Sequence, residues 1–257
     1  MERDCLYRVR LVSTALLLAM GTVKADSIVE TGSPDEPTNS SMNSTTLAPL
    51  EKRSAAPDAT LNASDLKEYP DCSPAVQRLI DAGLALTREN LGYTYGSDDP
   101  ANGGMDCSGT IYYLLRQAGI DDVPRDSSGM YGWVWKQNLF RAVESTLPDT
   151  FELGELRPGD LMFWTGTYRV DRDPPVTHVM IYLGTSRLTH RRVMVGASDG
   201  RTFNDRPRWG VSVFDFKMPG ANAREPGREG SRFIGYGPIP GLEKTGEGTK
   251  NVSTPSN

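Results

Sequence analysis

Three observations predict an α+β domain. Up to about residue 118 the apolar side chains recur at helical spacing, and from Leu156 onward they alternate at strand spacing. The alternating runs are joined by Gly- and Pro-containing turns rather than by helices, which calls for antiparallel pairing. Helices first and strands second therefore place N-terminal helices against a small antiparallel sheet.

The first helix starts at Pro74, a residue type suited to the first helical position, and carries Val76, Leu79, Ile80, Leu84 and Leu86 on one stripe. It is expected to end near Leu91-Gly92. Tyr93-Thr94-Tyr95-Gly96 then leads through a polar loop to Gly103-Gly104-Met105-Asp106-Cys107-Ser108-Gly109. Ile111, Leu114, Leu115 and Ala118 open a second helical stripe there. Asp106 stands where an N-cap belongs, and Gly119 stands just past the helix end. Residues 123–128 read as a turn with a helix cap. Residues 129–143, with Trp133, Trp135, Leu139 and Phe140, read as a short helix followed by an irregular insert. Strands are expected at 161–164, 176–183, 193–197, 211–216 and 233–236, with Arg157-Pro158-Gly159-Asp160 as the opening turn. The run 185–192 reads as a hairpin loop, and Arg206-Pro207-Arg208-Trp209 as another.

The flanks differ in composition from this domain. Arg3, Arg8 and Arg10 precede a 13-residue, mostly apolar run from Leu11 to Val23, with small residues around Ala25. This is the pattern of a secretory leader over 1–25, and the run is shorter than the roughly 20 residues of a membrane-spanning helix. Residues 26–68, rich in Ser, Thr, Pro and Asn, read as a disordered linker; 69–242 form the folded domain, and 243–257 a polar tail. Asn39, Asn43, Asn62 and Asn251 head glycosylation-type sequons, which matter only if the source glycosylates secreted proteins. The chain's net charge is −5, and −7 once the leader's four basic and two acidic residues are removed. That balance speaks against nucleic acid or an anionic membrane surface as partner. An exported monomer is expected, periplasmic or extracellular, with no membrane span after leader cleavage.

Cys107 is the residue around which chemistry is expected. The first turn of a helix favours thiolate over thiol, and the thiolate is the nucleophile. A Cys with a distant His is the general pattern of a thiol nucleophile and its base, and His178 opens an apolar run. The alternative for Cys107 is a small buried hydrophobe, and for His178 a structural strand histidine. Cys72 and Cys107 are both read as free thiols. Cys72, Cys107, His178 and His190 are zinc-type ligands, but without a closely spaced pair no metal or other cofactor is expected.

In combination, Tyr93-Thr94-Tyr95-Gly96, Met105-Asp106-Cys107-Ser108-Gly109, Val123-Pro124-Arg125, Arg157-Pro158-Gly159-Asp160-Leu161 and His178-Val179-Met180-Ile181-Tyr182-Leu183-Gly184 resemble the NlpC/P60 cell-wall peptidases. The resemblance implies a papain-like fold and hydrolysis of amide bonds in peptidoglycan stem peptides, between D-glutamate and a diamino acid. It implies Cys107 as nucleophile, His178 as base, and Tyr95, Asp106, Ser108 and Arg125 as substrate-binding residues. The family also places a His, Asn or Gln on the following strand to orient the base. Ungapped spacing puts His190 there; strand matching puts Gly196 there, which has no side chain. The orienting role is thus open between His190, Asp199 and a backbone carbonyl, with His190 otherwise a solvated loop residue. Two other readings stand beside hydrolysis of stem peptides: a catalytically silent wall-binding module, and a Cys/His amidase or acyltransferase of the same fold.

Overall fold

The computed structural model describes residues 60–218 and 231–243. The expected leader, most of the expected linker, the sequons at Asn39, Asn43 and Asn251 and the tail past Glu243 lie outside them.

Helix α1 (Pro74–Leu86) is capped by Ser73, whose Oγ accepts from the Val76 N–H, and it buries the expected apolar stripe. It stops five residues short of the expected end, and Thr87 Oγ1 donates to the Leu84 carbonyl at 2.7 Å in the last turn. Strands β1 (Gly92–Tyr93) and β2 (Gly104–Met105) form a two-residue parallel pair. Helix α2 (Cys107–Gln117) and helix α3 (Ser127–Lys136) follow, capped by Asp106 and Asp126. Gly119 leaves α2 with φ +83°, a conformation that glycine adopts without the Cβ penalty.

Strands β3 (Arg141–Ala142), β4 (Leu161–Thr165), β5 (Val176–Thr185), β6 (Arg192–Phe203), β7 (Arg206–Asp215) and β8 (Arg232–Gly237) form one antiparallel sheet in the order β3-β8-β4-β5-β6-β7. Its alternation separates two apolar layers. Phe163, Val179, Ile181, Val193 and Val195 pack with the helices, whereas Met162, Trp164, Met180, Tyr182 and Met194 pack together in a second cluster. The α+β expectation therefore holds, with helices that precede an antiparallel sheet.

Other boundaries also differ from expectation. The folded part includes residues 60–68, whose composition reads as linker. Leu66 is fully buried and bridges to Ser186, and Glu68 Oε2 accepts from the Thr185 N–H at 2.7 Å. A single Leu in a polar run has no periodicity to announce it, and its partners lie some 120 residues away. The expected loop at 206–209 is the start of β7, paired with β6 through Arg201↔Arg208 and Thr202↔Pro207. Proline is tolerated because β7 is an edge strand.

Candidate active site

Asp106 builds the start of α2. Its Oδ1 accepts from the Gly109 N–H at 2.6 Å and from Ser108 Oγ at 3.2 Å, and its Oδ2 accepts from the Gly96 N–H at 2.8 Å. Arg125 grips both carboxylate oxygens at 3.2 Å and also pairs with Asp98 at 2.9 Å. One buried carboxylate thus caps the helix, anchors the Tyr95-Gly96 loop and holds Arg125.

Cys107 follows directly and is 6% exposed. Its Sγ lies 3.9 Å from the carbonyl oxygen of Thr177, the residue before His178 on β5. The helix start was expected to lower the thiol. Burial, and then the Asp106 carboxylate, instead push it up to about 11, against the opposing pull of the Val179, Ser108 and Cys107 N–H groups. The helix N-terminus is present as read, but the sequence could not show that the sulfur is dry and sits beside an acid.

His178 is also buried, packed edge-on against Trp164 with ring centroids 5.6 Å apart. Burial and then the Arg201 guanidinium hold the imidazole well below 6.5, so the ring is neutral at pH 7. The Nε–H of Arg201 points at His178 Nε2 across 3.3 Å, and Cζ of Arg201 lies 4.3 Å over the Trp164 ring.

Two cavities open here. One, of about 260 Å³, contains Cys107, Asp106, Ser108 and Arg125. The other, of about 540 Å³, contains His178, Asp199 and Arg201. Tyr93, Tyr95 and Tyr168 line both. Tyr95 is 78% exposed at the mouth, while burial and then Cys107 and Asp106 keep the Tyr93 phenol well above its usual range. The structure therefore gathers Cys107, Tyr95, Asp106, Ser108 and Arg125 around one cavity and sets His178 on the strand behind the sulfur.

His190 is elsewhere. It lies in the β5–β6 turn in a left-handed conformation (φ +58°), with its N–H donating to the Ser186 carbonyl. It lines a different cavity, with Asp205 and Asp215. At about 3.3 Å per residue, the far end of β5 is roughly 20 Å from His178. His190 is thus not the orienting residue: the turn contains the extra residues that ungapped spacing overlooks.

Residues 90–206 match the profile of the NlpC/P60 family. This stretch of the chain is therefore similar to NlpC/P60 proteins. A solved structure from Staphylococcus aureus subsp. aureus Mu50, described as similar to a lipoprotein of the NLP/P60 family, is 23% identical with a TM-score of 0.40. That match covers 65% of this chain and 42% of the other, so this chain spans less than half of that protein's length. No curated protein matches the chain.

Within the matched stretch, strand matching puts Gly196 at the orienting position. A side chain starting there would press on Met180 Cγ at 3.2 Å, and glycine itself offers no orienting group. Asp199 lines the His178 cavity, yet the group that reaches the ring is Arg201. Sequence reasoning missed Arg201 because Ser198-Asp199-Gly200-Arg201-Thr202 looks like a polar loop. A usable signal was Asn204-Asp205, both at positive φ, which is the chemistry of a two-residue hairpin turn that extends β6 past Arg201.

Proposed function

We propose that this NlpC/P60 protein is an exported cysteine endopeptidase acting on peptidoglycan stem peptides, at D-glutamyl–diamino acid bonds. The observation that supports it most is Cys107 at the start of α2, its sulfur against the backbone of the residue before His178, in the wall of a cavity. In this reading the Cys107 proton passes to His178 as the sulfur adds to the amide carbonyl. The helix-start N–H of Cys107 donates to the oxyanion. His178 returns the proton to the departing amine, and water then hydrolyses the thioester. Tyr95, Asp106, Ser108 and Arg125 line the side where the peptide's free amino end binds; Asp106 does so while also holding the helix.

The test is digestion of purified muropeptides by the chain lacking residues 1–25, with product masses determined and Cys107→Ala as control. Products cut between D-glutamate and the diamino acid, and absent with Cys107→Ala, support the reading. Intact muropeptides with wild-type protein refute it. One observation favours a non-hydrolysing wall-binding module instead: burial keeps both the thiol and the imidazole neutral. Binding of intact muropeptides without turnover identifies that case.

A further inference from the structure

We propose that Arg201 is the positioning residue of the base, and that it fixes His178 as the Nδ1–H tautomer. The proposal rests on His178 serving as the base, as argued above, and it concerns which ring nitrogen holds the proton.

The position is built by the sheet. Strand β6 pairs with β5, and its pairing with β7 shifts register between Ser198 and Arg201. Ser198 lies opposite Gly210 and Arg201 opposite Arg208, so β6 gains one residue at this point. Such a bulge re-aims the side chains that follow it. The guanidinium is then steadied from two sides: its Cζ stacks over Trp164 at 4.3 Å, and Trp164 is itself packed on His178. Gly196, where an orienting side chain would start, is blank and covered by Met180. Arg201 therefore occupies the role from another place on the same strand.

Hydrogen-bond polarity gives this contact its consequence. An arginine side chain stays protonated and only donates. For Nε2 to accept the Nε–H of Arg201 it must present its lone pair, so the ring proton sits on Nδ1. An Asn, Gln or carboxylate in this role would instead accept from Nε2–H and stabilise the imidazolium. Arg201 does the reverse, because a second ring proton would put two cations face to face. Burial of the ring and the nearby guanidinium both act in that direction. The other titratable groups around the ring are Asp199 on β6, Tyr93 on β1, Tyr95 in the loop after it, Tyr168 between β4 and β5, and Cys107 at the start of α2. With Nδ1 protonated and Nε2 capped, the imidazole has no lone pair to offer the thiol. It takes a proton only after the guanidinium turns away and the ring proton moves to Nε2. Arg201 thus holds the site in a guarded state.

The experiment reads the tautomer directly. The full chain has two histidines, so the ¹⁵N-labelled protein and its His190→Gln variant assign the His178 imidazole in a two-bond ¹H–¹⁵N spectrum at pH 7. Wild type is expected as Nδ1–H. Arg201→Gln, whose amide oxygen accepts, is expected as Nε2–H, with the ring's apparent pKa raised by about one unit or more. In a Cys5→Ser, Cys72→Ser background the same change is expected to speed iodoacetamide labelling of Cys107 about tenfold at pH 7.5. A wild-type ring in the Nε2–H form overturns the proposal, and does so even if no variant folds. So does a folded Arg201→Gln that keeps Nδ1–H. Neither result depends on turnover, so failure of the peptidase reading on muropeptides is a separate outcome.

Discussion

Arg125 and Arg201 stand in the two halves of this cleft, and they do opposite things. Arg125 binds a carboxylate that caps α2, and the pair satisfies both partners within a dense set of hydrogen bonds. Arg201 binds a neutral ring that must gain a proton if the site is to work. The first contact secures a shape, and the second limits a charge. An arginine beside a functional group therefore has no fixed meaning; the partner's need for charge decides whether the contact supports chemistry or restrains it.

The comparison breaks most visibly where the chemistry is proposed. Cys107→Ala and His178→Ala are each expected to lower muropeptide turnover by about 10³-fold or more, with circular dichroism unchanged. Turnover near wild type in either variant refutes the nucleophile and base assigned here. On the Arg125 side the expected loss is in stability. Asp106→Ala removes the helix cap and the Arg125 partner together and is expected to cost about 2–3 kcal/mol in urea melts. Arg125→Met leaves Asp106 its Gly96, Ser108 and Gly109 donors and is expected to cost about 1–2 kcal/mol. Equal losses for the two variants would show that the carboxylate's other partners contribute nothing.

The His178 side predicts a pH dependence. Burial holds the folded ring below 6.5, whereas an unfolded histidine titrates near 6.5. As pH falls through 6.5 only the unfolded chain takes up this proton, so stability drops on acidification by up to about 1.4 kcal/mol per unit. Urea midpoints at pH 7.0 and 5.5 should therefore differ more in wild type than in His178→Gln. A steeper dependence in the variant contradicts the buried neutral ring. The smallest effect is expected at His190, which belongs to neither half: His190→Ala should change kcat by less than about threefold.

These outcomes also mark what the sequence could reveal. The Cys107 helix was legible because Asp106, Gly119 and the Ile111–Leu114–Leu115 spacing are local signals, read within three or four turns of chain. The strands were legible through Val and Ile alternation. Strands β1, β2 and β3 were not, since two residues have no period. Leu66 escaped notice because its partners are distant in sequence, and Arg201 because a bulge, invisible without its partner strand, turns a loop-like run toward the imidazole. The raised thiol escaped for a related reason: burial is a property of the assembled cleft, while the helix start that opposes it is local.

The edges of the sheet have a consequence for the molecule in company. A long bare outer strand invites the same strand of another copy to zip onto it. At one border the sheet ends in β3, only two residues long. At the other, the Val211 N–H of β7 is already bonded to the Leu91 carbonyl, which Gly210 admits: a Cβ there would sit 2.1 Å from that oxygen. The remaining half of β7 begins with Arg206, Pro207 and Arg208, a broken donor ladder between two positive charges. The segment that seats Tyr93 in the cleft is thus the same one that closes β7 to strand addition. A Gly210→Val change is expected to move the chain toward self-association in light scattering at the same time as it disturbs the cleft.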